Sequence, residues 1–292
     1  MLILDGATGT ELDRRGVDVT LPLWSARAMT DAPKVLEEIH ADYLRAGADV
    51  IVTNTFRTHE RSLARAGLPG ESGPLTRAAV EIACRARDAV RPEALVFGSV
   101  SPLEDCYCPE LTPDRSACTE EHTRMIVDLV DAGVDHILIE TMSSAREALA
   151  AVEVARKHAP GRWSVSFCLD IEGAPGRLID GTPMVDLLPD LEGARYLGVN
   201  CVPAVDLIEH LKVIQDQLPD GSTLAAYGNV GVPDDVRGWI NTDAVDPDRY
   251  ASLVADWLSV GAGLVGGCCG TSPDTIRSIR GLRESGSGSE GS

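Results

Sequence analysis

The sequence predicts a single-domain (β/α)8 TIM barrel with its active site at the C-terminal ends of the strands. A length of 292 residues, 44% of them hydrophobic, suits one large domain with a sizeable core. Eight short apolar runs recur along the chain at fairly even spacing, and helical patterns lie between them. An open doubly wound sheet is the alternative fold, but such sheets usually have fewer strands and a glycine-rich phosphate turn after the first.

The eight apolar runs are the predicted strands. Most are continuously apolar, and several are rich in Val and Ile, which is typical of parallel strands covered by helices on one face and packed on the other. The runs are MLILDG (1–6), DVIVTNTF (49–56), ALVFGSVSP (94–102), HILIETM (136–142), WSVSFCLD (163–170), YLGVNC (196–201), TLAAYGNVG (223–231) and GLVGGCCG (263–270).

Amphipathic helical patterns separate the runs. The first, PKVLEEIHADYLRAG, opens with Pro33 and stops at Gly47, and its apolar residues repeat at helical spacing. The same theme returns in TRAAVEIACRARDAV, TEEHTRMIVDLVDAG, SSAREALAAVEVARKHA, AVDLIEHLKVIQDQL and DRYASLVADWLSVGAG. We assign residues 1–283 to the barrel and residues 284–292 to a flexible Gly/Ser-rich tail.

Composition and charge narrow the classes of partner. The formal net charge of −19 argues against binding to nucleic acid or to anionic membranes. The first residues lack the features of a signal peptide, and no apolar run approaches the ~20 residues of a membrane span. The chain is therefore expected to be cytoplasmic, with its eight cysteines reduced.

The predicted strand ends carry no lysine and no histidine, which argues against several enzyme classes. The three lysines fall on predicted helices, which disfavours a Schiff-base aldolase. None of the six histidines ends a strand, which disfavours a histidine-ligated hydrolase barrel. The turn DGATGTEL has G-x-x-G spacing rather than G-x-G-x-x-G, so it is a weak dinucleotide signal.

Three thiols end two of the strands. Cys201 closes the sixth run, and the adjacent pair Cys268 and Cys269 closes the eighth. Three cysteines with a free fourth position suit a catalytic zinc ion, and the glycines around the pair would let both sulfurs face one point. From spacing alone the alternative stays open that these cysteines only fill the core.

Five motifs resemble those of the homocysteine S-methyltransferase family, from residue 1 to about residue 283. They are DGATGTEL, GADVIVTNTF, ILIET, GVNC and GGCCGTSP. The resemblance implies a zinc-binding barrel that methylates homocysteine to methionine, with Cys201, Cys268 and Cys269 as the zinc ligands. A homocysteine thiol bound at such a zinc would ionise, and the thiolate is the nucleophile.

The resemblance also implies how homocysteine is held. Asp5 and Glu140 would bind its ammonium group, and the backbone N–H groups of Gly6 and Ala7 would hold its carboxylate. Asn229 matches an asparagine that in some members approaches the metal when substrate is absent. Two plainer roles remain open, in which Asp5 caps the turn after the first strand and Glu140 is a buried acid paired with Arg57 or another cation.

The methyl donor is the least determined part. A positively charged donor leaves as a neutral group and needs no general acid, which fits a site without a catalytic histidine or lysine. A sulfonium such as S-methylmethionine is expected, and Arg57 would repel the quaternary ammonium of betaine if it faces the pocket.

Three alternatives stay open for the function. The chain could be the homocysteine module of a split cobalamin-dependent methionine synthase, with a cobalamin-carrying protein as its partner. It could be a non-catalytic subunit that binds zinc or a thiol, or a methyltransferase for another thiol or selenol. The oligomeric state is left open. Cys106 and Cys108 lie in a C-x-C loop and are either a second metal or redox site or two exposed loop thiols.

Overall fold

The computed structural model describes residues 1–234 and 238–286. Each of the eight predicted apolar runs overlaps one barrel strand, and two further strands follow the seventh barrel strand. The strands are β1 (Leu2–Ile3), β2 (Val50–Val52), β3 (Leu95–Val100), β4 (His136–Met142), β5 (Trp163–Phe167), β6 (Tyr196–Pro203), β7 (Thr223–Asn229), β8 (Gly231–Asp234), β9 (Gly238–Asn241) and β10 (Ala262–Gly267).

Eight parallel strands form the barrel. Their order is β1-β10-β7-β6-β5-β4-β3-β2. A parallel bridge between Leu4 and Val50 joins the two ends of this order, and the Asp5 N–H donates to the Val50 carbonyl over 2.9 Å. The predicted (β/α)8 barrel is thus confirmed, and the open doubly wound sheet is wrong because both end strands are paired.

Helices surround the barrel. The six helical patterns of the sequence are all present, and the first of them ends where Gly47 adopts a left-handed φ of 115°. Only a short helix and a 3-10 turn follow β5. The helices are α1 (Thr8–Arg14), α2 (Ala28–Asp31), α3 (Pro33–Ala46), α4 (Glu60–Arg65), α5 (Ser72–Val90), α6 (Arg115–Asp131), α7 (Ala145–His158), α8 (Met184–Leu187), α9 (Leu207–Ile214), α10 (Pro247–Ser259) and α11 (Pro273–Gly286).

The core has two layers. The larger layer lies between the strands and the helices, and a smaller cluster fills the barrel interior. Phe97 in the interior stacks on the buried ring of His136 at 4.5 Å, so this histidine is a packed core residue. The interior cluster consists of Leu4, Val50, Phe97, Leu138, Tyr196, Ala225, Tyr227 and Leu264.

Three features differ from the expectations or go beyond them. The run at 223–231 ends its barrel strand at Asn229, and β8 and β9 then form an antiparallel hairpin that the pattern did not predict. Helix α11 continues to Gly286, past the predicted barrel end at residue 283, and residues 287–292 lie outside the described residues. Within the described ranges no helix is long and apolar enough to cross a membrane.

Candidate metal centre and active site

Three cysteine sulfurs meet at the C-terminal mouth of the barrel. The Sγ atoms of Cys201, Cys268 and Cys269 all lie within 4.8 Å of one another. Cys201 belongs to β6, and the pair follows β10 directly. The structure therefore brings together the three thiols that the sequence placed at two strand ends.

The backbone at Cys201 is in an unusual conformation. Its φ of 57° lies in the left-handed region, which a residue with a Cβ adopts only at a cost of about 1–3 kcal/mol. The pairing register of β6 with β7 shifts between Asn200 and Pro203, so the strand bulges at this point. The bulge turns Cys201 out of the strand's normal alternation and toward the pair.

Glycines permit the turn that carries the cysteine pair. Gly270 has a left-handed φ of 83°, which lets the chain reverse after Cys269. At Gly267 a Cβ would come within 2.3 Å of Thr271 Oγ1, so any side chain there would displace this threonine. The flanking glycines thus serve both a turn and a close approach.

Asn229 joins the two segments that carry the sulfurs. Its Nδ2 donates to the carbonyl of Cys201 over 3.0 Å, and its Oδ1 accepts from the N–H of Cys269 over 3.0 Å. Both ends of the amide are therefore used to hold ligand-bearing backbone, and the side chain is 1% exposed behind the sulfurs. In this structure Asn229 positions the backbone of the cysteine segments and does not line the pocket.

The neighbouring thiols shift one another's pKa values. Hydrogen bonds from neighbouring thiols, first that of Cys168, hold the pKa of Cys201 well below its ordinary value. Hydrogen bonds to Cys201 raise the pKa of Cys268 and Cys269 in turn. Cys168 itself is 1% exposed and donates to the Cys201 carbonyl at 3.7 Å, so it lies outside the group of three.

The donor set fits a zinc ion. Zinc bound tetrahedrally by thiolates has Zn–S bonds of about 2.3 Å, which puts the sulfurs about 3.8 Å apart. Three sulfurs within 4.8 Å of one another can reach that spacing by small rotations. Thiolate ligands select soft or borderline cations over Mg²⁺ and Ca²⁺, so the chemistry of the residues agrees with the expected metal.

A pocket of about 570 Å³ opens in front of the sulfurs. Its wall combines residues from several strand ends and from the loops that follow them. The lining includes Asp5, Gly6, Ala7, Trp24, Phe56, Arg57, Ser99, Asp105, Cys106, Tyr107, Glu140, Thr141, Cys201, Tyr227, Cys268 and Cys269.

Asp5 lies deep in this pocket at 2% exposure. Burial raises the pKa of its carboxyl well above the ordinary value, and a 2.9 Å bond from the Val52 N–H opposes the rise. This contact crosses to the neighbouring strand, so the role of a cap for its own turn is not what the structure shows.

Glu140 lies on the same wall, at the end of β4. Burial raises its pKa to about 7, partly offset by a 2.5 Å hydrogen bond from Ser99 Oγ. In the described part of the chain, neither Glu140 nor Asp5 has a basic side chain within ion-pair distance. The pairing of Glu140 with Arg57 is absent, and the buried carboxylate of Asp5 and the half-buried one of Glu140 line the pocket without a cation among the described residues.

The turn after β1 differs in one respect from the expectation. The Ala7 N–H donates to Thr271 Oγ1 over 3.1 Å, so it is already used inside the protein. Thr271 also donates to the carbonyl of Cys268 over 2.7 Å and therefore connects the first motif to the cysteine pair. Among the described residues the Gly6 N–H has no such partner.

Sequence reasoning missed two tyrosines and this threonine. Tyr107 places its hydroxyl 3.4 Å from Cys201 Sγ. Tyr227 is buried in β7, and its hydroxyl lies 2.5 Å from Ser166 Oγ. Thr271 stands in the quoted GGCCGTSP motif, and Tyr107 stands between the two cysteines of the C-x-C loop. These two motifs could have drawn attention to Thr271 and Tyr107, but a motif does not show which of its residues contacts the cysteine segments.

The C-x-C loop forms part of the pocket wall. Cys106 is 8% exposed and lines the pocket, whereas Cys108 is half-buried outside it. Over the described residues, the group of three at the mouth is the cysteine cluster close enough to hold a metal, so a second site on this loop finds no support.

Comparison with known proteins adds independent findings. The sequence profile of the homocysteine S-methyltransferase family matches residues 2–282. Homocysteine S-methyltransferase of Escherichia coli (strain K12) is 32% identical, with 96% of this chain and 94% of that protein covered. Homocysteine S-methyltransferase YbgG of Bacillus subtilis (strain 168) is 29% identical at 96% and 93% coverage.

A third relative, selenocysteine Se-methyltransferase of Brassica oleracea var. italica, is 29% identical at 95% and 87% coverage. Among solved structures, the oxidized form of the E. coli homocysteine methyltransferase MmuM gives a TM-score of 0.81 at 30% identity, covering 97% of this chain and 96% of that one. Its metallated form gives 0.80 at 29% identity, covering 96% of each. The chain belongs to the homocysteine S-methyltransferase family.

Proposed function

We propose that this protein transfers a methyl group from a sulfonium donor, such as S-methylmethionine, to the thiol of homocysteine and forms methionine. We further propose that zinc, held by Cys201, Cys268 and Cys269, is its metal. The observation that carries the proposal is that three converging sulfurs share one pocket with two carboxylates, Asp5 and Glu140, that have no cationic partner in the described part of the chain.

The acceptor is fixed at its amino end by the two acids. A buried carboxylate without a partner is costly, and an incoming ammonium group removes that cost. Asp5 and Glu140 both line the pocket, and the charge of Glu140 helps to raise the pKa of Asp5, so we place one ammonium group between the two carboxylates. The Gly6 N–H is left to hold the acceptor carboxylate, because the Ala7 N–H is donated to Thr271.

Zinc bound to the three thiolates would lower the pKa of the acceptor thiol, so that homocysteine is present as its thiolate at neutral pH. The protein residues set the direction of attack. The bulge at Cys201 and the amide of Asn229 fix the sulfurs at the mouth, and Asp5 and Glu140 anchor the opposite end of the acceptor.

The transfer itself balances without a proton donor. The acceptor sulfur forms a bond to the methyl carbon while the bond from that carbon to the donor sulfur breaks. The electron pair stays on the donor sulfur, which leaves as a neutral thioether, and the acceptor's thiol proton has already gone to solvent. Accordingly, the described pocket lining contains no lysine or histidine that would act as a general acid.

A donor panel tests the proposal. Metal-loaded, reduced protein is mixed with homocysteine and, in separate reactions, with S-methylmethionine, S-adenosylmethionine, betaine or methylcobalamin, and methionine is quantified by mass spectrometry. Methionine formed from a sulfonium donor is the expected result. Turnover with methylcobalamin alone would instead favour the split methionine synthase, and no turnover with any donor would favour the non-catalytic subunit.

A second acceptor has a specific observation in its favour. One relative is named a selenocysteine Se-methyltransferase and matches over 95% of this chain. Replacing homocysteine by selenocysteine in the same panel, with the best donor held fixed, measures the preference between the two. A higher kcat/KM for homocysteine is expected, and a higher value for selenocysteine would reassign the acceptor.

A further inference from the structure

We propose that Arg57 binds the carboxylate of the methyl donor, so that the donor is a carboxylate-bearing sulfonium. This rests on the proposed methyl transfer and adds to it the chemical class of the donor. Arg57 follows β2 directly after the turn at residues 53–56 and lines the same pocket as the three sulfurs.

Among the residues that the structure describes, the guanidinium of Arg57 has no acidic partner. The described lining contains three carboxylates, from Asp5, Asp105 and Glu140, and no ion pair joins any of them to Arg57. Within the described ranges its Nε is buried without a hydrogen-bond partner, and its Nη1 reaches only the Glu104 carbonyl at 3.5 Å. A partly desolvated guanidinium of this kind gains most from a bidentate carboxylate.

The nearby acid is already occupied. Glu104 accepts from Arg61 at 3.1 Å and from both terminal nitrogens of Arg65 at 2.6 and 2.7 Å. Those arginines hold the pKa of the Glu104 carboxyl below its ordinary value, against the opposing effect of its burial. The chain therefore neutralises two neighbouring arginines and leaves the pocket-facing Arg57 for a ligand.

The guanidinium is held in place for this role. Its Cζ lies 5.6 Å from the ring centre of Phe56, and Phe56 in turn meets Trp24 edge to face at 5.8 Å. These two rings also line the pocket. An aromatic wall beside a carboxylate-binding group can accept the positive sulfonium of the same molecule by a cation–π contact.

Position distinguishes the donor from the acceptor. Asp5 accepts from the N–H of Val52, the last residue of β2, so the acceptor's anchor lies level with the strand end. Arg57 lies further out, on the loop that leaves β2, and touches the loop after β3 through Glu104. The acceptor thus occupies the floor of the pocket and the donor its outer part.

The same arrangement separates sulfonium donors from betaine. In betaine a single methylene group joins the carboxylate to the quaternary ammonium, so binding at Arg57 forces two positive charges together. In S-methylmethionine a longer carbon chain separates the carboxylate from the sulfonium. The carboxylate can then pair with Arg57 while the sulfonium lies against the rings.

The test compares S-methylmethionine with its decarboxylated analogue, (3-aminopropyl)dimethylsulfonium. Dissociation constants are measured by calorimetry on metal-loaded protein without homocysteine, for wild type, Arg57→Gln and Arg57→Lys. Wild type should bind S-methylmethionine more tightly by about 10–100-fold, the worth of one charge-assisted pair. Arg57→Gln should abolish that preference, and Arg57→Lys should retain part of it.

Two controls keep the outcome specific. Arg85→Gln removes the same charge at an exposed pair with Glu37 and should change nothing. The KM for homocysteine should be unaffected in Arg57→Gln, because Arg61 and Arg65 keep the Glu104 loop tethered.

Equal or absent binding of the two sulfoniums by wild type, or a preference that survives in Arg57→Gln, would overturn the proposal. A raised KM for homocysteine in Arg57→Gln, with unchanged dissociation constants for both sulfoniums, would also overturn it, because Arg57 would then bind the acceptor. If S-methylmethionine is turned over but binds no more tightly than its decarboxylated analogue, the proposed methyl transfer still holds and the role of Arg57 is wrong. If it binds more tightly but is not turned over, the role of Arg57 holds and the proposed methyl transfer is wrong.

Discussion

The side-chain amide of Asn229 donates a 3.0 Å hydrogen bond to the main-chain carbonyl of Cys201. The other end of that amide accepts from the N–H of Cys269 over 3.0 Å, so one buried side chain sets the distance between β6 and the cysteine pair. Partners of this kind, which orient metal ligands without touching the metal, typically change affinity by 10–100-fold when removed.

Asn229→Ala should therefore weaken zinc binding by about 10–100-fold while the barrel stays folded. Chelator competition measures the dissociation constant. Asn54→Ala is a matched control, since Asn54 is equally buried at a strand end but bonds to the Ser25 carbonyl instead of a cysteine. Equal losses of zinc affinity in the two variants would show that the effect is general loosening of the barrel mouth.

Thr271→Val should lower kcat/KM for homocysteine by about tenfold, the worth of roughly one to two buried hydrogen bonds. The valine has nearly the same shape but can neither accept from the Ala7 N–H nor donate to the Cys268 carbonyl. Thr271→Ser keeps the hydroxyl and should retain most of the activity. If the serine variant loses as much activity as the valine variant, the two hydrogen bonds of the hydroxyl are not the cause of the loss.

Glu140→Gln should raise the KM for homocysteine by at least tenfold and leave the metal content unchanged, because only the contact to the ammonium is lost. The effect should be smaller with 4-mercaptobutanoate, which has no ammonium group to bind. Steady-state kinetics with both acceptors measure the difference. An unchanged homocysteine KM would return Glu140 to the role of a buried acid without a ligand.

Glu140→Gln should also stabilise the substrate-free protein in a pH-dependent way. Burial raises the pKa of Glu140 from 4.5 to about 7, so its contribution to stability is complete below pH 4.5 and is lost as the pH rises through 7. Removing the charge should add about 3 kcal/mol to the unfolding free energy at pH 8 and less at pH 5. Urea denaturation at the two pH values measures this, and an equal gain at both would contradict the assigned cause.

Much of this architecture follows from patterns that a sequence displays directly. Eight apolar runs predicted eight barrel strands because parallel strands buried on both faces appear in a sequence as continuous apolar runs. Cys201, Cys268 and Cys269 converge because the C-terminal ends of parallel strands lie at one face of the barrel. The left-handed φ of Cys201 and the hairpin at 231–241 were not predictable, since neither leaves a periodic signal.

The contacts inside the pocket were harder to predict from the sequence. Whether the hydroxyl of Tyr107 reaches Cys201, or whether Arg57 finds an acid, depends on how the loops after β2 and β3 pack on each other. The sequence places both residues near the mouth, but a loop's partners are set by tertiary hydrogen bonds such as those of Arg61 and Arg65 to Glu104. The contact of Ala7 was equally unpredictable, because its N–H donates to the side chain of Thr271, which is distant in sequence.

A double-labelling experiment tests the central claim most directly. Homocysteine labelled with carbon-13 throughout its chain is mixed with S-methylmethionine carrying deuterated methyl groups, using wild type, Cys268→Ser and Cys84→Ser, the last a cysteine outside the pocket. Wild type and Cys84→Ser should form methionine that carries both labels, whereas Cys268→Ser should lose bound zinc and this product together. Doubly labelled methionine formed at the wild-type rate by zinc-free Cys268→Ser would contradict the account.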